Sequence, residues 1–272
     1  MVPLSPPKSN FEESNFGKRV LSTAMGGPIV VGAVILGSPY IDILAVILSG
    51  ILLWEWSKMS GLPLSHPING MAAVLLGWVM VGPGASLPAL CIILIGALYI
   101  VFYHYQLGAR FIPSVILLSG PLYIGLGMAA NLSLAKFTPL TLLWALLIVW
   151  ATDTGAYVLG NLIGGPKLAP RISPGKTWAG FIGGSMLGSA LGITIAPPCQ
   201  ISIDNPAFLL GLTLIITFVG HTGDILESAA KRLFNVKDSS RIIPGHGGLL
   251  DRMDSLLLVG LFLLILKFFK AF

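Results

Sequence analysis

Between Gly220 and Ser255 the chain collects the side chains that can do polar chemistry. The stretch holds five of its eleven acidic residues (Asp224, Glu227, Asp238, Asp251 and Asp254) and five of its sixteen basic ones (Lys231, Arg232, Lys237, Arg241 and Arg252). It also holds two of the four histidines, His221 and His246. Asp224, Glu227, Ser228 and Lys231 stand at i, i+3, i+4 and i+7, and no proline interrupts Gly220 to Leu233, so on a helix they form one stripe. Asp251, Asp254 and Ser255 repeat the pattern from Leu249 onward. Between the two, Asn235 to Gly248 carries Pro244, Gly245, Gly247 and Gly248, which break helix and allow close backbone approach. Paired carboxylates suit Mg²⁺, a hard cation that shares oxygen ligands with substrate phosphates. The five basic residues suit the phosphates themselves. The expected unit is two carboxylate-bearing helices joined by a basic, glycine-rich loop, arranged as a metal-assisted phosphate site. Charges at a membrane helix end can also merely mark the water interface. The whole set on two stripes favours the site.

A second constellation lies upstream. Asp153 falls inside an apolar run, where an ionisable side chain is costly and usually functional, and it shares a helix face with Tyr157 and Gly160. Soon after it, Ser173-Pro174-Gly175-Lys176-Thr177 offers hydroxyls and a cation just before a helix expected to begin at about Trp178, where free backbone amides favour anions. The Gly-x4-Gly-Lys spacing of a P-loop is absent. An ordinary cytoplasmic loop is the plain alternative; a second anion-binding element is the better expectation.

The elements that must position these residues are membrane helices. The chain is 55% hydrophobic and 10% charged, with a mean hydropathy of +0.88. Spans are expected at 20–37, 39–54, 70–83, 87–104, 111–130, 138–160, 178–198, 206–228 and 249–270, an all-α, polytopic membrane protein of about nine helices, in a range of roughly seven to nine. The chain divides into a polar tail (1–17), N-terminal membrane helices (18–137) and a catalytic membrane region (138–272). With a cytoplasmic N-terminus, thirteen of the sixteen Lys and Arg residues face the cytoplasm, and only Lys136, Lys267 and Lys270 lie outside. The charged stretch then faces the side where nucleotides are. A net charge of +5 suggests anionic partners; nucleic acid is not expected, since no basic face stands apart from the membrane segments. Cys91 and Cys199 have neither disulfide nor zinc spacing. Glu55, between Trp54 and Trp56, reads as part of an interfacial aromatic belt, Asp42 as a helix boundary, and Gly183, Gly184 and Gly188 as a close-packing face.

The segment Ser228-x-x-Lys231-Arg232, then Lys237-Asp238, then Pro244-x-His246-Gly247-Gly248-x-x-Asp251-Arg252-x-Asp254 resembles the signature of the phosphatidate cytidylyltransferase (CDP-diacylglycerol synthase) family. Asp153, Ala156-Tyr157 and Ser173-Pro174-x-Lys176-Thr177-Trp178 resemble a second region of that family. The match is close in the C-terminal half and only general in the first 130 residues. Ala230, Asn235, Gly175 and Ala179 depart from the usual pattern, and none of them removes a candidate ligand. The resemblance implies that CTP and phosphatidic acid give CDP-diacylglycerol and pyrophosphate. It implies Mg²⁺ held by Asp224 and Asp251, with Asp254 and Asp238 as further candidates for the metal or its surroundings. It implies phosphate contacts from Lys231, Arg232, Lys237 and Arg252, phosphate binding or proton transfer at His246, closure of the site by Ser173, Lys176 and Thr177, and substrate binding by Ser228. Asp153 would hold a second cation or orient Lys176. A homodimer in the inner membrane of a bacterium is also implied. Two rivals stand beside this reading: a transporter with an ion path through Asp153 and Asp224, and a CTP-using lipid kinase that would release CDP in place of pyrophosphate.

Overall fold

The structure, a computed structural model, describes residues 26–66, 68–73, 95, 102, 111–243 and 247–269. Its main helices are the short α1 (Gly26–Leu36) and the longer α2 (Tyr40–Ser60), α3 (Phe111–Phe137), α4 (Pro139–Ile163), α5 (Trp178–Ile195), α6 (Pro206–Leu233) and α7 (Leu250–Phe268). Four of them, α2, α4, α5 and α6, are long and apolar enough to cross a membrane. This is a helical membrane protein. These seven helices fall at seven of the expected spans; the expected spans 70–83 and 87–104, apart from residues 70–73, 95 and 102, lie outside the described residues, as do the start of the first span and the tail.

Two expectations need correction. Residues 167–177 are not a plain loop: β1 (Lys167–Ala169) pairs antiparallel with β2 (Ser173–Thr177), so the chain is not purely helical. Prolines 166, 170 and 174 keep helix out of this stretch, and the Trp178 amide donates to the Pro166 carbonyl at 3.0 Å, closing the hairpin onto the start of α5. The helix expected over 39–54 runs on to Ser60, which places Glu55 and Trp56 inside it. Trp56 is buried, and its indole N–H donates to the Leu117 carbonyl at 3.1 Å. The hydropathy signal fades at Glu55, yet the helix continues because that carboxylate finds partners in the interior.

The tightest packing joins α4 to α5, and the sequence explains it. Gly180, Gly184, Gly188 and Gly192 recur every four residues and form one face of α5, while Trp178, Ile182 and Met186 form another that is exposed. A Cβ on Gly180 would lie 2.7 Å from the Ala156 carbonyl, and one on Gly184 would lie 2.6 Å from that of Thr152. The glycine stripe therefore lets two backbones meet, as small residues do between membrane helices, and the large apolar face is left for lipid. Trp144 locks the far end by donating to the Gly192 carbonyl at 2.8 Å. Gly184→Val is expected to force the pair apart and to cost about 1–3 kcal/mol or more, read as a lower melting temperature and lost monodisperse protein in detergent.

On the other side, α7 packs between α3 and α6. The Asn131 amide donates to the Leu256 carbonyl at 3.1 Å, and the Tyr123 hydroxyl to the Asp254 carbonyl at 3.1 Å. Lys136, near the end of α3, pairs with Asp42, near the start of α2, at 3.0 Å. Asp42 is thus an ion-pair partner as well as a boundary, at the end of α2 remote from Glu55.

Candidate active site

Where α6 crosses α7, a Cβ on Gly223 would lie 2.6 Å from the Asp254 carbonyl and 3.1 Å from Ser255 Cα. Only glycine permits that approach, and it brings the next residue, Asp224, beside the start of α7. Lys176 reaches in from β2 and pairs with Asp224 Oδ2. Asp153, exposed on α4, lies in the field of Asp224, Lys176 and Arg252. Asp254 is 7% exposed, with Asp224 and Asp153 as its charged neighbours and its Oδ1 accepting from the Ser255 amide at 2.7 Å. Three helices and a hairpin therefore bring three carboxylates and one ammonium to the same end of the bundle. Like charges so placed need a cation among them, and Lys176 supplies one. Among the described residues no group of three or more His, Cys, Asp or Glu side chains forms a ready metal cage.

Asp251 belongs to a neighbouring cluster. Its Oδ1 accepts from Lys231 Nζ at 2.6 Å, and its Oδ2 accepts from the Gly248 amide at 2.8 Å and the Ser239 amide at 3.2 Å. Lys231 also pairs with Glu227 Oε2 at 2.5 Å, one helical turn back. The stripe read from spacing forms on α6, and there the Lys231 ammonium is buried and paired with two carboxylates. The oxygens of Asp251 are likewise engaged, so the two expected metal ligands fall into different surroundings. A Cβ on Gly247 would lie 2.7 Å from Asp251 Oδ2, and the positive φ of +84° there is one that glycine adopts freely.

The other expected residues are distributed around these clusters. Thr177 caps α5, its Oγ1 accepting from the Gly180 amide at 3.1 Å, which orders the hairpin end that carries Lys176. Ser173 opens β2 and is half-buried. Ser228 is buried on α6. Arg232 donates from Nε to the Ile172 carbonyl at 3.0 Å and from Nη1 to the Val236 carbonyl at 2.9 Å, tying the hairpin to the loop after α6. Lys237, Asp238 and Arg241 are exposed on that loop, and Arg252 is exposed on α7. His246 lies outside the described residues, as do Pro244 and Gly245.

Residues given no site role from the sequence also enter. His221, one turn before Asp224, is buried against the Phe181 ring, with centroids 4.8 Å apart, and feels the charges of Lys176 and Asp224. Glu55 is fully buried. Its Oε1 accepts from Ser240 Oγ at 2.5 Å and from the Leu249 amide at 2.8 Å, and its Oε2 from the Leu250 amide at 2.7 Å. The belt reading of Glu55 is overturned: the residue faces inward. The signal that marked Asp153, an acid inside an apolar run, was present at Glu55 too; the flanking tryptophans masked it.

Residues 17–269 match the Cytidylyltransferase family. The chain belongs to that family. Cytidylyltransferase relatives include proteins named phosphatidate cytidylyltransferase from Staphylococcus aureus (strain COL), 45% identical over 150 residues, which are 55% of this chain and 57% of the relative. Those from Brucella suis biovar 1 (strain 1330) and Brucella abortus (strain 2308) are each 29% identical over 246 residues, 89% of this chain and 90% of theirs. The stronger local similarity thus spans little more than half of the staphylococcal protein, while the weaker one runs along nearly the whole length of both chains. The family match extends across α2 as well as the charged C-terminal half, so both the Glu55 contacts and the Lys176–Asp224 pair lie within it.

Proposed function

We propose that this cytidylyltransferase-family protein transfers the cytidylyl group of CTP to phosphatidic acid, giving CDP-diacylglycerol and pyrophosphate. The observation that carries the reading is the Lys176–Asp224 ion pair at one end of a membrane bundle, set in the field of Asp254 and Asp153. In this reaction an oxygen of the phosphatidate phosphate forms a bond to the α-phosphorus of CTP, and the bond from that phosphorus to the bridging oxygen of pyrophosphate breaks. Both reactants are polyanions that repel each other, so the protein's main task is to hold and neutralise them. Lys176 can move from Asp224 to a phosphate, and the exposed Lys237, Arg241 and Arg252 stand where triphosphate or headgroup can be met. Arg232, braced against Ile172, keeps the hairpin and the loop together around the reactants. Ser173 and Ser228 would contribute hydroxyls, and His246 phosphate binding or proton transfer. No protein nucleophile is required.

Mg²⁺ fits the donor set, which offers the carboxylate oxygens that this cation shares with substrate phosphates. When bound it would neutralise charge developing on the phosphates. Asp224 is the first proposed ligand. Asp251, its partner by spacing, would have to leave Lys231 to join it, whereas Asp254 stands in the field of Asp224 and its backbone packs on Gly223, the residue before it; we therefore place Asp254 beside it and keep Asp251 as the alternative second ligand. Asp238 would support the loop, and Asp153 would orient Lys176 or hold a second cation.

The charge asymmetry of the loops supports a cytoplasmic active site in a bacterial inner membrane, with the N-terminus on the same side. There CTP from water and phosphatidic acid from the bilayer meet at the headgroup plane. A homodimer is part of the same proposal, and cross-linking in membranes tests it. The function itself is tested with purified protein, phosphatidic acid, Mg²⁺ and CTP labelled at the α-phosphate. Label is expected in the lipid phase, with pyrophosphate released; CDP as the soluble product would instead mark a kinase, and cation flux without nucleotide a transporter.

A further inference from the structure

We propose that Glu55 is a positioning residue of the active site, holding the start of α7 and the loop before it in the geometry that nucleotidyl transfer needs. The proposal rests on the reaction assigned above, and it concerns a residue from the opposite half of the chain, 184 positions from Ser239 and 195 from Leu250. The first amides of a helix have no partner within the helix. In α7 the N-cap position is Leu249, whose side chain cannot cap. Glu55 supplies the cap from another helix, accepting from the Leu249 amide at 2.8 Å and the Leu250 amide at 2.7 Å. It takes hold of the loop too, through Ser240 Oγ at 2.5 Å and Ser239 Oγ at 3.1 Å.

These contacts continue into the charged cluster. Ser239 Oγ also stands 3.3 Å from Asp251 Oδ2, so its single proton is shared between the two carboxylates, and the Ser239 amide donates to Asp251. Asp251 then grips Lys231, and Lys231 grips Glu227. One connected network runs from α2 through the loop and α7 into α6, where Asp224 lies one turn before Glu227. Gly248 fits the same design: a Cβ there would lie 2.6 Å from Glu55 Oε1, so the loop passes directly over the carboxylate. Glu55 is 0% exposed and remote from the Lys176–Asp224 pair in the hydrogen-bond pattern, so its influence on the reaction passes through the groups it holds.

Glu55→Gln keeps size and shape but turns one acceptor into a donor, facing donors. The variant is expected to lower kcat about 100-fold, the scale of a reacting geometry displaced by roughly 1 Å, with KM for CTP within about threefold of wild type, as for a loss felt in the transition state. Trypsin should cut after Lys237 and Arg241 faster in folded Glu55→Gln protein in detergent than in wild type. A wild-type kcat with wild-type cleavage overturns the proposal. So does an unchanged kcat with a raised KM, which would make Glu55 a determinant of binding alone. Should Glu55→Gln fail to yield folded protein, Ser239→Ala with Ser240→Ala removes two of the four donors and leaves the carboxylate; a tenfold or greater fall in kcat is expected, and wild-type kcat overturns the idea. The trypsin readout needs no cytidylyl transfer. A wild-type protein without transferase activity therefore defeats the proposed function while cleavage still reports on the clamp.

Discussion

Asp224→Asn is expected to reduce transfer of label from CTP to lipid by about 10³-fold or more, the scale on which loss of a principal electrostatic element acts. The substitution preserves shape and removes one negative charge. Asp224 is only partly buried, so melting in detergent should change little, and the loss should fall on chemistry. Two companion variants locate its metal-binding partner. Asp254→Asn is expected to raise the Mg²⁺ concentration needed for half-maximal rate, because Asp254 stands in the field of Asp224. Asp251→Asn is expected to reduce the rate and the stability without moving the Mg²⁺ requirement, because its oxygens serve Lys231 and the loop amides. A shifted Mg²⁺ requirement in Asp251→Asn and not in Asp254→Asn would restore the pair first read from spacing. Full activity in Asp224→Asn would remove Asp224 from the mechanism.

Lys231→Met should be the most destabilising single change at the site. The side chains of Lys231, Glu227 and Asp251 are 11%, 4% and 9% exposed, so the ammonium is the counter-charge for two buried carboxylates. Removing one partner from a buried pair leaves the other charge uncompensated, at a cost of about 3–5 kcal/mol. A fall in melting temperature measures it. Adding Glu227→Gln to Lys231→Met removes one stranded charge and is expected to recover part of the stability and none of the activity, since Asp251 still lacks its partner. Equal melting of wild type and Lys231→Met would show that the cluster is solvated in the working protein. If stability fell with activity intact, Lys231 would be purely structural.

The residues of the candidate site stood out in the sequence for local reasons. A carboxylate stripe at i, i+3, i+4 and i+7 needs only a helix to become a face, and α6 forms that helix to Leu233. The glycine spacing of α5 foretold close packing because a missing side chain lets backbones touch, whatever the partner. Asp153 stood out because an acid in an apolar run demands a partner, and Lys176, Asp224 and Arg252 share its surroundings. The helical class followed from apolar runs of membrane length, which four helices confirm.

What the amino-acid order could not supply was the pairing of distant groups. Spacing puts Asp224 and Asp251 each on a helix stripe, but the crossing at Gly223 decides which part of α7 stands beside Asp224, and that depends on two helices meeting. Lys231 read as a phosphate ligand because a lysine beside an arginine suits one; burial between Glu227 and Asp251 is a property of the packed bundle. The hairpin at 167–177 was hidden because three-residue pairing has almost no periodic signal. Glu55 shows the division most clearly. The sequence determined that an acid would sit near the end of an apolar helix, and only the tertiary structure decided that it would turn inward, because the unpaired amides of a helix nearly two hundred residues away had to find an acceptor.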